Sequence, residues 1–339
     1  MDAANHNSDG ISTFAGKVAV VTGGGSGMGR ELVRQLAAEG CSVATCDWNA
    51  ETVADAATMA QAGAAEGVLV TGHLCDVSAE TQVQRFRDEL LHRHATDHVN
   101  LVFSNAGVGG GPSFVESGRE EWERTFAVNW WGVYHCARTF LPLLIASGDG
   151  VLVNTSSVNG FWAALGPGMP NSAYATAKFA IRGFTEALIE DLRTNAPQVR
   201  VALVMPGHVG TDILANSRRA QGRPEPQDIS DTEIREMIPP DAQEGLIRAG
   251  ILPQDASPDD LRRLLAQFER DFREKAPVTA AAAATTILDG VRSGTWRILI
   301  GRDAATLDSV IRANPEAAYD YDELFKLAKE EAERTASTA

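Results

Sequence analysis

The stretch NSAYATAKFA, Asn171 to Ala180, places a phenol four residues ahead of an ammonium. On a helix Tyr174 and Lys178 share one face. The residues between them, Ala175, Thr176 and Ala177, are small enough to let other groups approach that face. A free tyrosine has a pKa of about 10, too high for proton exchange at neutral pH. A nearby ammonium favours the phenolate, and general acid–base catalysis works best with a pKa near working pH. Tyr174 is therefore expected to exchange a proton, with Lys178 lowering its pKa.

A second chemical stretch, VVTGGGSGMGRE, follows the first apolar run and opens a helix-like segment. Gly23, Gly27 and Gly29 keep the spacing T-G-x-x-x-G-x-G. Glycine permits a tight turn and a close approach to a pyrophosphate, and the free N–H groups of the helix start face the anion. Ser26 and Met28 belong to the same cradle. Asp47 ends the second apolar run, with Trp48 beside it. A carboxylate there hydrogen-bonds the ribose hydroxyls and repels a 2′-phosphate. No Arg or Lys stands among residues 23–29 or directly after Asp47 to offset that repulsion, so the expected cofactor is NAD. Asp47 can also cap the helix that follows; the two roles are compatible.

The elements that must position these groups alternate. KVAVVTGG, SVATCD, GVLVTGHLCDV, VNLVFSNAG, GVLVNTSS and VRVALVMPG are strand-like runs separated by helix-like segments. Such alternation implies right-handed crossovers and a doubly wound parallel sheet of the Rossmann type, covered by helices on both faces. The rhythm stops after Thr211. ANSRRAQGRPEPQDISDTE reads as a mobile polar loop. SPDDLRRLLAQFERDF then starts a helix, with Ser257 as cap, Pro258 in the first turn and Asp259 and Asp260 at the positive end. Its apolar stripe is Leu261, Leu264, Leu265, Phe268 and Phe272. An Ala-rich helix, the strand WRILIG and a polar amphipathic tail of one or two helices follow. The expected organisation is a polar arm over 1–15, one catalytic domain over 16–301 with a lid over 212–277, and a helical extension over 302–339.

With 339 residues, a net charge of −15 and a pI near 4.9, the chain has an ordinary globular composition and a surface that disfavours nucleic acid and anionic membranes. The first thirteen residues are polar, with no signal-like apolar stretch, and no run approaches a membrane span. The four cysteines show no C-x-x-C pair and suit buried thiols in the cytoplasm.

Seven motifs stand in one order: TGGGSGMG, CDV at Cys75 to Val77, NAG at Asn105 to Gly107, VNWWG around Asn129, NTSS, YATAK and PGHVGT. Together they make the chain resemble a short-chain dehydrogenase/reductase of the ordinary, non-extended type, over roughly residues 16 to 301. The resemblance implies roles. Asp76 and Val77 would contact the adenine, and Asn105, Ala106 and Gly107 would line the cofactor pocket. Ser157 would hold the substrate oxygen, with Ser156 as the alternative, and Tyr174 would exchange its proton. Lys178 would bind the nicotinamide ribose, and Asn129 would hold a water linking Lys178 to solvent. Pro206, Gly207, Val209 and Thr211 would fix the nicotinamide carboxamide. The resemblance further implies a homodimer or homotetramer. Two stretches depart from the usual pattern: the serine-to-tyrosine gap carries extra residues, and the segment after Thr211 is long.

Phe161 and Trp162, in the extra residues, are open between substrate wall and core. His208 is open between a substrate contact and a plain loop residue. Trp130 and Trp131 are expected to pack between helices or subunits. His92, His94 and His98 read as an exposed helix end, and no metal site is expected. The expected activity is hydride transfer between NAD and a secondary alcohol or ketone, lipophilic or aromatic in character. The alternatives are a nucleotide-sensing scaffold with a vestigial site, and a dehydratase or epimerase.

Overall fold

Val18–Thr22 (β1) is apolar over its first four residues, and its last four are buried. A strand with no polar face needs cover on both sides. The computed structural model, which describes residues 10–336, shows that cover. With β2 (Ser42–Asp47), β3 (Val70–Leu74), β4 (Leu101–Ser104), β5 (Gly150–Thr155), β6 (Val199–Pro206) and β7 (Arg297–Ile300) it forms a seven-stranded sheet. The order is β7-β6-β5-β4-β1-β2-β3 and every pairing is parallel. This is the doubly wound sheet that the alternating pattern predicts.

The helices follow in chain order: α1 (Gly27–Ala38), α2 (Ala50–Ala62), α3 (Glu80–Arg93), α4 (Arg119–Phe126), α5 (Gly132–Ala146) and α6 (Ser172–Asn195). Then come α7 (Ile213–Ala220), α8 (Asp231–Met237), α9 (Pro240–Arg248), α10 (Pro258–Glu274), α11 (Ala280–Arg292), α12 (Arg302–Ala313) and α13 (Tyr321–Ala336). On one face of the sheet α1, α2 and α11 bury Leu32, Leu36, Ala60, Ile287 and Leu288. On the other, α3, α5 and α6 bury Phe86, Leu90, Phe140, Leu144 and Leu192. Ile11 and Phe14 of the predicted polar arm are buried in the first of these cores. Residues 1–9 of that arm lie outside the described residues.

The segment predicted as a mobile loop from Ala215 to Glu233 is ordered, and α7, a 3-10 turn at Pro226–Asp228 and α8 account for most of it. The reason is electrostatic. Arg218 on α7 is buried and pairs with Glu225 at 2.7 Å and with Glu269 on α10 at 3.0 Å. Burial opposes the charged guanidinium, but the two carboxylates hold its pKa up and Glu225 falls to about 2. A buried charge needs such partners. α8 starts on a capping box, Ser230 with Glu233. α10 starts as predicted: the Ser257 hydroxyl accepts from the Asp260 N–H, and the Asp260 carboxylate accepts from the Ser257 N–H. Leu261, Leu264 and Leu265 join Ile229, Ile234 and Leu252 in a satellite core. Phe268 departs from the predicted stripe and is 60 % exposed.

The tail makes two helices, as expected. α12 is tied to the sheet edge by Asp308, which accepts two bonds from Arg297 and one from Arg312 at 3.0 Å. Val310, Ala318 and Leu324 of the tail share a third core with Phe161, Trp162, Ile181 and Met205. Cys41, Cys46, Cys75 and Cys136 are all buried and unpaired. His94 is half-buried rather than an exposed end, hydrogen-bonded to Thr71 at 2.8 Å. Among the described residues no helix is long and apolar enough to cross a membrane, and no group of three or more His, Cys, Asp or Glu is placed to hold a metal ion.

Candidate active site

Strand order reverses between β1 and β4, so the turns after their carboxyl ends diverge and leave a crevice. Gly23 follows β1 with φ +70°, and a Cβ on it would lie 2.8 Å from the Cα of Ala106 after β4. A Cβ on Gly29 would stand 2.1 Å from the carbonyl oxygen of Gly23. Only glycine lets these turns meet. Thr22 ties them, its hydroxyl accepting from the N–H groups of Asn105 and Ala106 at 3.0 and 3.1 Å. Asn105 Nδ2 donates back to the Thr22 carbonyl at 3.1 Å, and Asn105 Oδ1 stays buried without a partner. The first turn of α1 carries no acidic residue, and its cap Ser26 makes no side-chain cap bond. This cradle suits an anion.

Beyond the cradle lies a pocket of about 160 Å³, walled by Gly23, Ser26, Gly27 and Met28, by Asp47 and Trp48, by Asp76 and Val77, and by Asn105, Ala106 and Gly107. The structure thus brings the sequence-predicted cofactor residues of the chain's first third to one place. Asp47 accepts from the N–H groups of Gly25 and Asn49 at 3.1 and 3.2 Å. Burial raises its pKa, and these N–H groups pull it back. The cap of α2 is Asn49, which accepts from Glu51 and Thr52, so Asp47 does not perform the capping role that its position allows. Two cations missed by the sequence reading also line this pocket, Arg124 and Arg219. Arg124 stands 3.7 Å from Asp76, and Arg219 pairs with Glu225 at 2.7 Å. Both come from helices far from the glycine turn in sequence. Asn216 of α7, equally unsignalled, donates to the Ser26 hydroxyl at 3.0 Å and latches the lid onto the cradle.

Between α4 and α5 the helix widens into a π-turn, Ala127–Trp131. Such turns leave carbonyls to other donors. Asn129 Nδ2 uses the Thr125 carbonyl at 2.8 Å and the Val108 carbonyl at 2.7 Å. Its Oδ1 is buried without a partner. A Cβ on Gly107 would meet that Oδ1 at 2.9 Å and Lys178 Nζ at 3.5 Å, so both groups reach the space below Gly107. Lys178 is buried and donates to the Thr155 carbonyl at 3.0 Å. Ser157 stands near enough to Tyr174 to draw its pKa down against burial, whereas the Ser156 hydroxyl donates to the Lys178 carbonyl at 2.7 Å. Of the two adjacent serines, Ser156 thus has its hydroxyl proton occupied within the fold.

The expected lowering of Tyr174 by Lys178 is not what this arrangement produces. Burial pushes the phenol up to about 12, opposed by the nearby Ser157 hydroxyl. Burial also brings the ammonium down to about 7. Desolvation disfavours both charged forms, and it outweighs the pair's mutual attraction here. Tyr174 keeps an edge open to the cavity, so entering water relieves part of the penalty on the phenolate.

Ser157, Tyr174 and Lys178 open onto a cavity of about 980 Å³ that also takes in Pro206, Gly207, Val209 and Thr211. Trp162 lines it, with its indole N–H held by the Ala318 carbonyl at 2.7 Å. Phe161 does not line it and sits in the third core, so of that pair only Trp162 keeps a place at the wall. His208 lines the cavity and bonds the Phe272 carbonyl at 2.8 Å through Nε2, with its ring against the Phe272 ring. It ties the turn after β6 to the lid helix α10. Trp130 packs edge-on against Phe184, and Trp131 is 44 % exposed. The lid helices α7 and α10 and the tail helices α12 and α13 complete the walls, a role for the tail that no local pattern announced.

The short chain dehydrogenase family model matches residues 17–222. The Mycobacterium tuberculosis protein named "Putative oxidoreductase SadH" is 32 % identical over 302 residues, 89 % of this chain and 92 % of that protein. The meso-2,3-butanediol dehydrogenase of Serratia marcescens is 32 % identical over 64 % of this chain and 85 % of its own length. Among solved structures, a short chain dehydrogenase/reductase from Burkholderia phymatum in complex with NAD superposes with a TM-score of 0.68 at 30 % identity, over 89 % of this chain and 95 % of that one. A metagenomic short-chain oxidoreductase in complex with NADP gives 0.50 at 31 % identity, over 57 % and 83 %. On the strength of a match that runs from before the first strand into the lid, and of a relative aligned along nearly its whole length, this chain belongs to the short chain dehydrogenase family.

Proposed function

We propose that this oxidoreductase uses NAD and acts on a secondary alcohol or ketone of lipophilic or aromatic character. The observation that carries the reading is the convergence of Ser157, Tyr174 and Lys178 on one cavity that adjoins the glycine cradle. The unpartnered Asn105 Oδ1 and the glycine turn fit a dinucleotide. When bound, that dinucleotide supplies or accepts the hydride.

The chain's own residues handle the proton and the oxygen. Ser157 donates to the substrate oxygen, and Tyr174 gives that oxygen its proton in reduction or takes the alcohol proton in oxidation. A developing alkoxide then meets two donors, an oxyanion-type arrangement. Lys178 holds the ribose hydroxyls. Asn129 Oδ1 accepts from a water that links Lys178 to solvent. Gly23, Ser26, Gly27, Met28 and Gly29 cradle the pyrophosphate. Asp47 binds the adenosine ribose with Trp48 beside it, and Asp76 and Val77 hold the adenine. Asn105, Ala106 and Gly107 form the opposite wall, and Pro206, Gly207, Val209 and Thr211 orient the carboxamide. The Asp47 carboxylate, facing the turn at Gly25, supports NAD over NADP.

The catalytic unit spans 16–301 with the lid over 212–277, and the extension runs over 302–339. The exposed Trp131 and Phe179, on neighbouring helical segments, support a homodimer or homotetramer. The four unpaired buried thiols support a cytoplasmic setting. The sensing-scaffold reading is not favoured, because a binding module has no need of the full set Asn129, Ser157, Tyr174 and Lys178, and the dehydratase or epimerase reading is disfavoured by the T-G-x-x-x-G-x-G spacing and the position of the tail.

The test is NADH formation with a panel of secondary alcohols, from short aliphatic to bulky aromatic, run with NAD and with NADP. Turnover with NAD, rising toward the bulky members, is expected. Turnover with NADP alone would remove the Asp47 assignment, and no turnover with any member would remove the alcohol reading.

A further inference from the structure

α12 and α13 lie past residue 222, where the family match ends, and they wall the catalytic cavity. α13 faces it with Leu324, Phe325, Ala328 and Ala332. Leu324, Ala328 and Ala332 recur every four residues and so form one stripe. At 1.5 Å per residue the stripe is roughly 12 Å long. It begins beside the catalytic group: Leu324 shares a core with Trp162 and Val158, which line the cavity together with Ser157. From there it leads away for two helical turns.

The order along the stripe has a steric meaning. A leucine fills the first position, and the next two end at Cβ, so the space before the last two turns is left open. None of the four residues is polar. Met237 of α8 and Phe325 of α13 also line the cavity and are 45 % and 52 % exposed, so its apolar lining continues to solvent. At about 980 Å³ the cavity is at the upper end of ligand sites, which run to roughly 1,000 Å³. The part lined by Asn105, Gly107, Lys178, Pro206 and Thr211 falls to the dinucleotide, and a small ketone would leave the part along α13 to water against apolar side chains.

We propose that α13 measures the substrate. The cavity takes an elongated lipophilic secondary alcohol or ketone whose oxygen meets Ser157 and Tyr174 and whose apolar body lies along Leu324, Ala328 and Ala332. The inference rests on the alcohol and ketone reading above and adds to it the length of the substrate and the residues that read it.

The experiment uses the full chain with two series, straight 2-alkanols of increasing length and hydroxylated fused-ring compounds of matching length. kcat/KM should rise about fourfold per methylene while the chain still gains contact with the stripe, and then level off. Ala332→Phe and Ala328→Leu should cut the ratio of kcat/KM for long over short alcohols by roughly fiftyfold, the worth of about three methylenes. Ala332→Val serves if the larger side chains disturb folding, which circular dichroism and Tm would report. A second readout is equilibrium binding of a long 2-alkanone, followed by tryptophan fluorescence. A rise confined to one series assigns the straight or the fused-ring body. Turnover that ignores length, or variants with the wild-type ratio, would overturn the proposal and leave the alcohol reading standing. Length-dependent binding that Ala332→Phe abolishes, in a protein that oxidises no alcohol, would sustain the ruler and remove the alcohol reading.

Discussion

Lys178 Nζ stands 5.3 Å from the centre of the Tyr174 ring and gives its hydrogen bond to the Thr155 carbonyl, 3.0 Å away. The two side chains share a helix face, as their spacing requires, yet they are not directly bonded. Ser157 lines the same cavity as the phenol and draws its pKa down, and Lys178 is anchored to the end of β5. The proposed proton-handling unit is thus assembled from a strand end and a helix, and burial shifts the pKa of both Tyr174 and Lys178.

Tyr174→Phe should lower kcat by about 10² to 10⁴, the usual worth of a positioned acid or base. Cofactor affinity should change little, because Lys178 keeps its anchor and the glycine cradle is untouched. Steady-state kinetics with equilibrium NADH binding checks both halves. Undiminished kcat would remove Tyr174 from its role.

Asp47→Ser should raise the ratio of NADP to NAD use by at least about tenfold, since it removes a carboxylate a few ångströms from the 2′ position. Arg124 and Arg219 already line the same pocket and would gain a phosphate to face. The measurement is kcat/KM with each cofactor. An unchanged ratio would show that Asp47 does not discriminate.

Acid should weaken the fold through a chain of histidines beside β3. His73 Nδ1 lies 2.8 Å from the Glu89 carboxylate, which only accepts, so that nitrogen carries the proton. His73 Nε2 then accepts from the Thr71 hydroxyl, which in turn accepts from His94 Nε2–H, each at 2.8 Å. Burial lowers the pKa of His73, and burial with the charges of His73 and Arg93 lowers His94 to about 4 from 6.5. Glu89 opposes the shift at His73, while Arg93 adds to it. The fold therefore prefers neutral rings. Their contribution is complete above pH 6.5 and is lost as pH falls from 6.5 toward 4, about 2 kcal/mol at His94 once water at the ring is allowed for. Urea unfolding across that range should show the loss, and His94→Gln should flatten it.

Asp308→Ala should destabilise the protein by about 3–5 kcal/mol, because it leaves Arg297, 13 % exposed, without its carboxylate at the root of the tail. The variant should also lose selectivity for long substrates, since α12 carries α13. Denaturant midpoints and the long-to-short kcat/KM ratio check the two effects.

Much of this molecule follows from local rules. Apolar runs at β1 and β5 needed cover on both faces, the glycine turn could only be a close-approach turn, and Ser257 with Asp260 started α10 where their hydrogen bonds required. Tyr174 and Lys178 shared a face because of helical period alone. Such features depend on neighbours a few residues away, which is why they can be read along the chain. The tertiary structure decided the rest. It spent Ser156 on a helix carbonyl and left Ser157 for the phenol, and it sent Phe161 into the core and Trp162 to the wall. It turned a polar stretch into helix by pairing Arg218 with Glu269, 51 residues away. It brought Arg124, Arg219 and α13 to pockets that no local pattern connects them with. Ion pairs, desolvation and cavity walls depend on distances through space, and those distances have no period in sequence.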